Sequence, residues 1–349
     1  MKTEIISADR ADFKEKVKKL GQIIRDGGLV AFPTETVYGL GGNALDSEAA
    51  KKIYAAKGRP SDNPLIVHVL DIAQAEALAE EITPLERKLM KAFWPGPLTI
   101  VLPKKSVIPA ETSGGLDTVA LRCPVHPAVR ALIREAGVPI AGPSANLSGK
   151  PSPTSADDVY RDLHGRIEAI IDGGPCRIGV ESTIVACEGE KIIIYRPGGL
   201  PKEVLETYAP VEIDRGLLPD AHPKAPGMKY RHYAPAAPMV VYTGDTETAE
   251  EAILSFADKK DKTYGFFVSE ETAERLPEEA VVFIWGKRGD QQEMARRLFE
   301  GLHYFNDHPV DQIIGEGTED SGLGLAVMNR LTKASGYHII VENHKKYAK

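Results

Sequence analysis

The sequence predicts two α/β domains joined by a proline-rich linker. Three observations carry this. The chain has 349 residues, which at roughly 100–200 residues per domain suggests two domains. Strand-like and helix-like segments alternate over residues 1–210 and again over 239–349. Between Val211 and Pro238 that periodicity fails, and Pro219, Pro223, Pro226, Pro235 and Pro238 accumulate, as in a stiffened connector.

In the first domain, Gly28–Phe32 is a short apolar run stopped by Pro33 and reads as a buried strand. Asp46–Ala56 has helical spacing, with Ala49, Ile53 and Ala56 on one face. Leu65–Leu70 is strand-like, and Ile72–Glu80 and Pro84–Phe93 are helical. Thr83 is placed to cap the second of these, ahead of a proline at its first position. Leu98–Leu102, Val119–Arg122, Val138–Ala141, Ile167–Ile171, Ser182–Ala186 and Ile192–Tyr195 are further strands. Some of these follow one another with no helix between, so the sheet is expected to be mixed.

The second domain alternates more cleanly. Strands are expected at Met239–Thr243, Thr263–Val268, Ala280–Trp285, Gln312–Ile314 and His338–Val341, and helices at Glu247–Ala257, Asp290–Phe305 and Leu325–Ala334. That is a small, doubly wound, Rossmann-like unit. Its Gly-Leu-Gly at 322–324 lacks the third glycine of a dinucleotide fingerprint.

Composition narrows the function. Net charge is −7, which argues against tight nucleic-acid binding, since nucleic-acid binders usually carry a basic excess. No apolar run is long enough to span a bilayer, and the start of the chain lacks a signal-peptide core. Cys123, Cys176 and Cys187 form no Cys-x-x-Cys pair, as expected of free thiols in a reducing cytoplasm. There is no P-loop, zinc-protease or nucleophile-elbow motif and no cysteine–histidine metal spacing.

Four loops concentrate polar residues. Pro33–Gly39 follows a buried strand, where open α/β sheets bind ligands; Thr34 and Thr36 offer hydroxyls and Tyr38 a phenol or a stacking face. In Lys57–His68, Lys57 and Arg59 either satisfy the last carbonyls of a helix or clamp a polyphosphate. His68, inside an apolar run, fits a core position as well as a site. Ala141–Pro153 carries Ser144, Asn146, Ser148 and Ser152 ahead of a helix start at Thr154 or Ser155. Gly179–Ile184 is followed by Tyr195–Gly199, and Arg196, like Arg122, ends a strand as a candidate anion partner. Such loops suit a site that positions and neutralises charge without a covalent nucleophile.

At these loops the chain resembles the YrdC-like family in its long form, the L-threonylcarbamoyl-adenylate synthases. The matching pieces include Pro33-Thr-Glu-Thr-Val-Tyr-Gly-Leu, Lys57-Gly-Arg-Pro, Asn63-Pro-Leu-Ile-Val-His, Pro143-Ser-Ala-Asn, Gly179-Val-Glu-Ser-Thr and Arg196-Pro-Gly. Pro226-Gly-Met-Lys-Tyr-Arg-His-Tyr-Ala-Pro and Ala326-Val-Met-Asn-Arg extend the likeness. The resemblance implies a twisted mixed-sheet YrdC-like domain over 1–210, a linker or lid over 211–238 and a Rossmann-like domain over 239–349. It implies synthesis of L-threonylcarbamoyl-AMP from L-threonine, bicarbonate or CO2, and ATP with Mg2+ carried on its phosphates. A separate threonylcarbamoyl transferase complex would pass the group to adenosine 37 of tRNAs reading codons that begin with A.

The resemblance also implies residue roles. A catalytic tetrad falls on Lys57, Arg59, Ser144 and Asn146. The threonine pocket would use Thr36, His68, Arg122 and Ser182. ATP would meet Lys57, Arg59, Asn63, Thr118, Ser144, Asn146, Ser152, Arg196 and Tyr233. Lys229, Tyr230, Arg231, His232 and Tyr233 would form the lid, and no residue is expected to ligate a metal directly. Two other readings stand beside this one: a noncatalytic RNA-binding or nucleotide-sensing protein, and a hydrogenase-maturation carbamoyltransferase. The second lacks its paired Cys-x-x-Cys fingers here.

Overall fold

The structure is a computed structural model, and it describes residues 2–214, 225 and 232–343. The chain divides into two compact units: Met1–Ser148 with Ser152–Tyr230, and Gly149–Pro151 with Arg231–Lys349.

In chain order the first unit holds β1 (Glu4–Ser7), α1 (Phe13–Arg25), β2 (Val30–Phe32), β3 (Gly39–Asn43), α2 (Ser47–Lys57) and β4 (Ile66–His68). There follow α3 (Ile72–Glu76), α4 (Pro84–Phe93), β5 (Leu98–Pro103), β6 (Thr118–Arg122), α5 (Pro127–Ala136) and β7 (Ile140–Ala141). The rest is α6 (Ala156–Leu163), β8 (Ala169–Asp172), β9 (Thr183–Glu188), β10 (Lys191–Arg196), α7 (Lys202–Glu206) and β11 (Val211–Ile213). Among the described residues these strands form one eleven-stranded sheet in the order β1-β8-β2-β3-β7-β4-β6-β5-β9-β10-β11. The sheet is mixed, as expected: β4 and β6 run parallel, while β5 and β6 run antiparallel.

Local chemistry sets the helix ends. Thr83 and Glu86 form a reciprocal capping box at α4, and Ser155 and Asp158 form another at α6. Helix α2 ends at Gly58 with φ 62°, a left-handed turn in which glycine avoids a Cβ clash. The N–H groups of Gly58 and Arg59 already cap carbonyls of Ala55 and Tyr54. The basic side chains at 57 and 59 are therefore not needed for that task.

Helices cover the sheet unequally. Residues of α2, α3, α4, α6 and α7 pack with Val67, Ile100, Leu121 and Val185 on one face. On the other face, α1 and α5 bury Val30, Phe32, Ile140 and Ile171 at one end of the sheet. Over β4, β6, β5 and β9 that second face carries Ile66, Val101, Ala120, Ile184 and Ala186, which pack with the buried Ala225 and the half-buried Tyr195.

Three expectations need correction. Val211–Ile213 pairs parallel with β10, so the sheet continues into what the sequence suggested was linker. Helix α3 stops at Glu76. The loop read over Pro33–Gly39 ends in a strand, Gly39–Asn43, to which the sequence reading assigned no element and which lies between β2 and β7. Adding a Cβ at Gly39 or Gly41 would meet the Phe32 ring at 2.6 and 2.8 Å, so these glycines admit that side chain.

The second unit holds β12 (Met239–Gly244), α8 (Thr246–Leu254), β13 (Tyr264–Val268), α9 (Glu270–Ala273) and β14 (Val281–Ile284). It ends with α10 (Gln291–Asp307), β15 (Gln312–Glu316), α11 (Gly324–Ala334) and β16 (Ile339–Glu342). Its strands are all parallel, in the order β14-β13-β15-β12-β16. Connections from β12 and β13 step one way across the sheet, and those from β14 and β15 step the other. Strand β15 therefore leaves opposite to both of its neighbours, β13 and β12.

Candidate active site

A single row of the first sheet gathers the site. His68 of β4 is the register partner of Arg122 of β6, Arg122 of Thr99 on β5, and Thr99 of Ile184 on β9. Arg196 of β10 faces Ile184 in turn. Partners in register point to the same side of a sheet. That side is the one α1 and α5 leave open over β4, β6, β5 and β9, because Ile66, Ala120 and Val101 lie two residues along the same strands. Thr118 shares the face, four residues before Arg122 on β6.

Hydrogen bonds hold the row in place. Thr99 Oγ1 and Ser182 Oγ are 2.8 Å apart. Arg196 Nη2 donates to the Ser182 carbonyl at 2.9 Å and to its hydroxyl at 3.3 Å. Arg122 donates through Nη2 to Glu35 Oε1 at 2.6 Å and through Nε to the Gly96 carbonyl at 3.3 Å. Its Nη1 has no partner among the described residues. Glu35 also accepts from the Val125 N–H at 3.1 Å.

His68 sits edge-on to Phe32, with ring centroids 5.3 Å apart. Its Nδ1 lies 3.3 Å from the Ile140 carbonyl, which assigns the proton to Nδ1 and leaves Nε2 as an acceptor. Burial, aided by the Arg122 charge, pushes the imidazole down to about 3. It is therefore neutral at physiological pH.

The loops beside the row are stitched together. Thr34 Oγ1 accepts the Thr36 N–H at 3.1 Å and lies 2.9 Å from the Thr36 hydroxyl, so Thr36 is buried within its own turn. The Tyr38 N–H donates to the Pro153 carbonyl and the Ala145 N–H to the Tyr38 carbonyl. The N–H groups of Ile178 and Gly179 donate to the carbonyls of Glu35 and Thr36. Tyr38 itself is fully buried, and its hydroxyl donates to the Gly174 carbonyl at 2.7 Å. It packs the core rather than offering a phenol or a stacking face.

Lys57 joins two of the loops. Its Nζ donates to the Ser144 carbonyl at 2.5 Å and to the Asn146 carbonyl. Burial, with Arg59 nearby, holds this amine well below its ordinary range, opposed by Asp162. Ser144 Oγ donates to Asn146 Oδ1 at 2.5 Å. The three are thus one cluster, and Lys57 serves the neighbouring loop instead of its own helix. Arg59 donates to the carbonyls of Asn63 and Pro64 at 3.3 and 3.1 Å. Asn63 Oδ1 is buried without a hydrogen-bond partner among the described residues. Ser152 Oγ donates to the buried Glu181 at 2.7 Å.

Sequence reasoning passed over Glu35, Thr99 and Glu181. The motifs Pro33–Gly39 and Gly179–Ile184 contain two of them; Glu35 stands between two threonines and Glu181 beside a serine, and a carboxylate next to hydroxyl residues in an arginine-rich set was the available signal. Of the expected lid, Lys229, Tyr230 and Arg231 lie outside the described residues. Ala225 is fully buried against the open face of the first sheet. Tyr233 is buried in the second unit with its ring centroid 5.2 Å from that of Phe299, and 5.5 Å from that of His232.

Among the described residues no group of three His, Cys, Asp or Glu side chains could hold a metal ion. No described helix is long and apolar enough to cross a membrane.

Fold and site together define a two-domain YrdC-like α/β protein. The family described as telomere recombination, which groups Sua5, YciO and YrdC, matches residues 22–198. The threonylcarbamoyl-AMP synthase C-terminal domain matches residues 200–336. The chain is 47% identical to the threonylcarbamoyl-AMP synthase of Bacillus subtilis (strain 168), covering 93% of this chain and 94% of the relative. It is 49% identical to that of Pyrococcus abyssi (strain GE5 / Orsay), covering 93% and 95%. The crystal structure of P. abyssi Sua5 complexed with L-threonine superimposes with a TM-score of 0.90 at 47% identity, over 98% of this chain and all of that one. The chain belongs to the threonylcarbamoyl-AMP synthase family.

Proposed function

We propose that this chain makes L-threonylcarbamoyl-AMP from L-threonine, bicarbonate or CO2, and ATP, releasing pyrophosphate, in the cytoplasm. The observation that carries the reading is the row His68–Arg122–Thr99, with Ser182 and Arg196 beside it, on the open sheet face. It offers a guanidinium edge for a carboxylate and a neutral imidazole acceptor for a hydroxyl or amine. A site that hydrogen-bonds the threonine hydroxyl rejects valine, because the loss leaves buried polar groups unpaired.

The threonine amine captures CO2 or bicarbonate as a carbamate, and a carbamate oxygen attacks the α-phosphorus of ATP as pyrophosphate leaves. Arg122 Nη1 pairs with the threonine carboxylate. Thr36 and Ser182 complete that pocket. His68 Nε2 accepts from the hydroxyl or ammonium; at so low a basicity it orients substrate and does not act as the principal base. Lys57, Arg59, Ser144 and Asn146 frame the reacting phosphates, whose developing charge the two cations and ATP-borne Mg2+ offset. Asn63 Oδ1, buried and unpaired, suits an amino donor on the nucleotide. Thr118, Ser152 and Arg196 border the same ligand.

Ala225 is seated on the open face of the sheet, and the adenylate, a mixed anhydride that water would destroy, needs shelter at that face. A transferase complex then consumes the product in tRNA modification.

The test is one incubation of the protein with ATP, Mg2+, bicarbonate and L-threonine, followed by rapid mass spectrometry. A threonine- and bicarbonate-dependent adenylate is expected, absent with valine. Untouched or merely hydrolysed ATP overturns the proposal.

A further inference from the structure

The reaction above makes no use of a cleft of about 740 Å3 in the second unit. It opens past the carboxyl ends of β12 and β15, with Thr243 and Thr318 among its walls. These are neighbouring strands whose outgoing connections leave in opposite directions, an arrangement at which open parallel sheets form ligand crevices. Ala249 of α8 closes one side, and Leu325, Met328 and Asn329 of α11 close the other. The volume lies within the range of small-molecule pockets and exceeds what an amino acid needs.

The charges in the cleft select against phosphate. Arg288 is the only lysine or arginine among its described walls. Its Nε donates to Glu316 at 3.0 Å, and Nη2 donates to Glu250 and to the Thr272 hydroxyl at 2.8 Å each. The second Glu316 oxygen accepts from the Ser269 N–H and hydroxyl and from the Thr272 hydroxyl, all at 2.8 Å. The one cation is thus neutralised inside the protein. Glu319 and Asp320, both exposed, add negative charge at the rim.

The remaining polar groups are uncharged, and one is poorly matched. The Thr318 N–H donates to the Met328 sulfur at 3.3 Å. A thioether is a weak acceptor, so this amide has more to gain from a ligand oxygen or ring nitrogen. Leu325 and Met328 offer an apolar face beside it, while Thr243 and Asn329 offer a hydroxyl and an amide.

We propose that this cleft is a second ligand site, built for a nucleoside that carries no phosphate. The base lies on Leu325 and Met328 and takes the Thr318 N–H in place of sulfur. Thr243 and Asn329 read its polar edge, and Glu319 and Asp320 accept the ribose hydroxyls.

The test uses the full chain labelled with 13C-methyl methionine, which has six such residues. The Met328 signal is assigned by M328L. Adenosine is expected to shift it saturably, with AMP at least tenfold weaker, and T243V is expected to weaken adenosine at least fivefold. T332W, which fills the cleft from α11, abolishes the shift and serves if T243V fails to fold. Adenosine bound in the first unit leaves Met328 unmoved, so the two sites are read separately. A Met328 signal that stays fixed up to millimolar adenosine, or that follows AMP as tightly, overturns the proposal. So does unchanged affinity in both variants.

Discussion

Arg122 and Glu35 form a buried ion pair at 2.6 Å, with side-chain exposures of 4% and 5%. The two lie 87 positions apart in the chain. Glu35 aims the guanidinium, leaving Nη1 for a ligand. Removing one partner of such a pair leaves an uncompensated charge, at a cost of roughly 3–5 kcal/mol. E35Q keeps the shape and loses the charge. It is expected to raise the KM for L-threonine at least tenfold while the KM for ATP stays within twofold, measured by initial rates of pyrophosphate release. An unchanged threonine KM would show that Glu35 does not position Arg122.

His68 predicts a pH effect on stability. Its folded-state value is about 3, against 6.5 when unperturbed. Between those values the unfolded chain binds the extra proton, so stability rises with pH across that window by up to about 1.4 kcal/mol per pH unit. In H68N that contribution disappears. Urea unfolding at pH 4.5 and pH 7 should show a smaller gain toward neutrality in the variant, by ~2–3 kcal/mol at most. Equal gains in both proteins would place His68 in a more polar setting than the structure does.

Lys57 links the Ser144 and Asn146 carbonyls, and its loss leaves two acceptors short of a donor. K57M is expected to reduce turnover at least a hundredfold at saturating threonine and to lower the melting temperature. R59A should also lose turnover, since near-normal activity at saturating ATP would remove Arg59 from the phosphate clamp.

Gly198 allows a close backbone approach. A Cβ there would lie 2.3 Å from the Glu181 carbonyl oxygen and 2.4 Å from the Ser182 carbonyl carbon. G198A must push Ser182 out of the row, with ~1–3 kcal/mol of overpacking strain and a raised threonine KM. G115A is the control: its Cβ meets nothing within 4 Å, so only the left-handed φ of 82° is penalised, by about 1 kcal/mol. Comparable losses in the two variants, by calorimetry and threonine titration, would mean that contact at Gly198 is not what matters.

Ala225 is buried among Ile66, Val101, Ala120, Ile184 and Ala186. A225D puts a charge into that apolar patch and should drive this residue off the sheet. The expected result is at least a tenfold rise in pyrophosphate released per adenylate recovered. An unaltered ratio in A225D, or in a chain lacking 226–235, would argue that the linker does not shelter the product.

What could be read from sequence had local causes. Thr83 before Pro84 and Ser155 before Asp158 announced two helix starts, and both cap as expected. The alternation through Met239–Gly244 and Tyr264–Val268 was equally plain. Strand β3 was hidden because three of its five residues are glycine, leaving no side chains to alternate. Tyr38 looked like a ligand-facing phenol because a motif gives its neighbours and not its direction. Lys57 and Arg59 were visible as a pair, but not that Lys57 crosses to another loop. Glu35 and Glu181 act through Arg122 and Ser152, and sequence spacing carries no mark of such distant pairings.

The row His68–Arg122–Thr99–Ile184–Arg196 draws each member from a different strand. The row reaches from residue 68 to residue 196, and no single hairpin can rehearse it before the middle of the sheet has zipped. Recognition and assembly of the first unit therefore share one equilibrium. A ligand gripping that row acts as a clasp across the strands, and each tenfold excess over its dissociation constant tightens the whole sheet by about 1.4 kcal/mol.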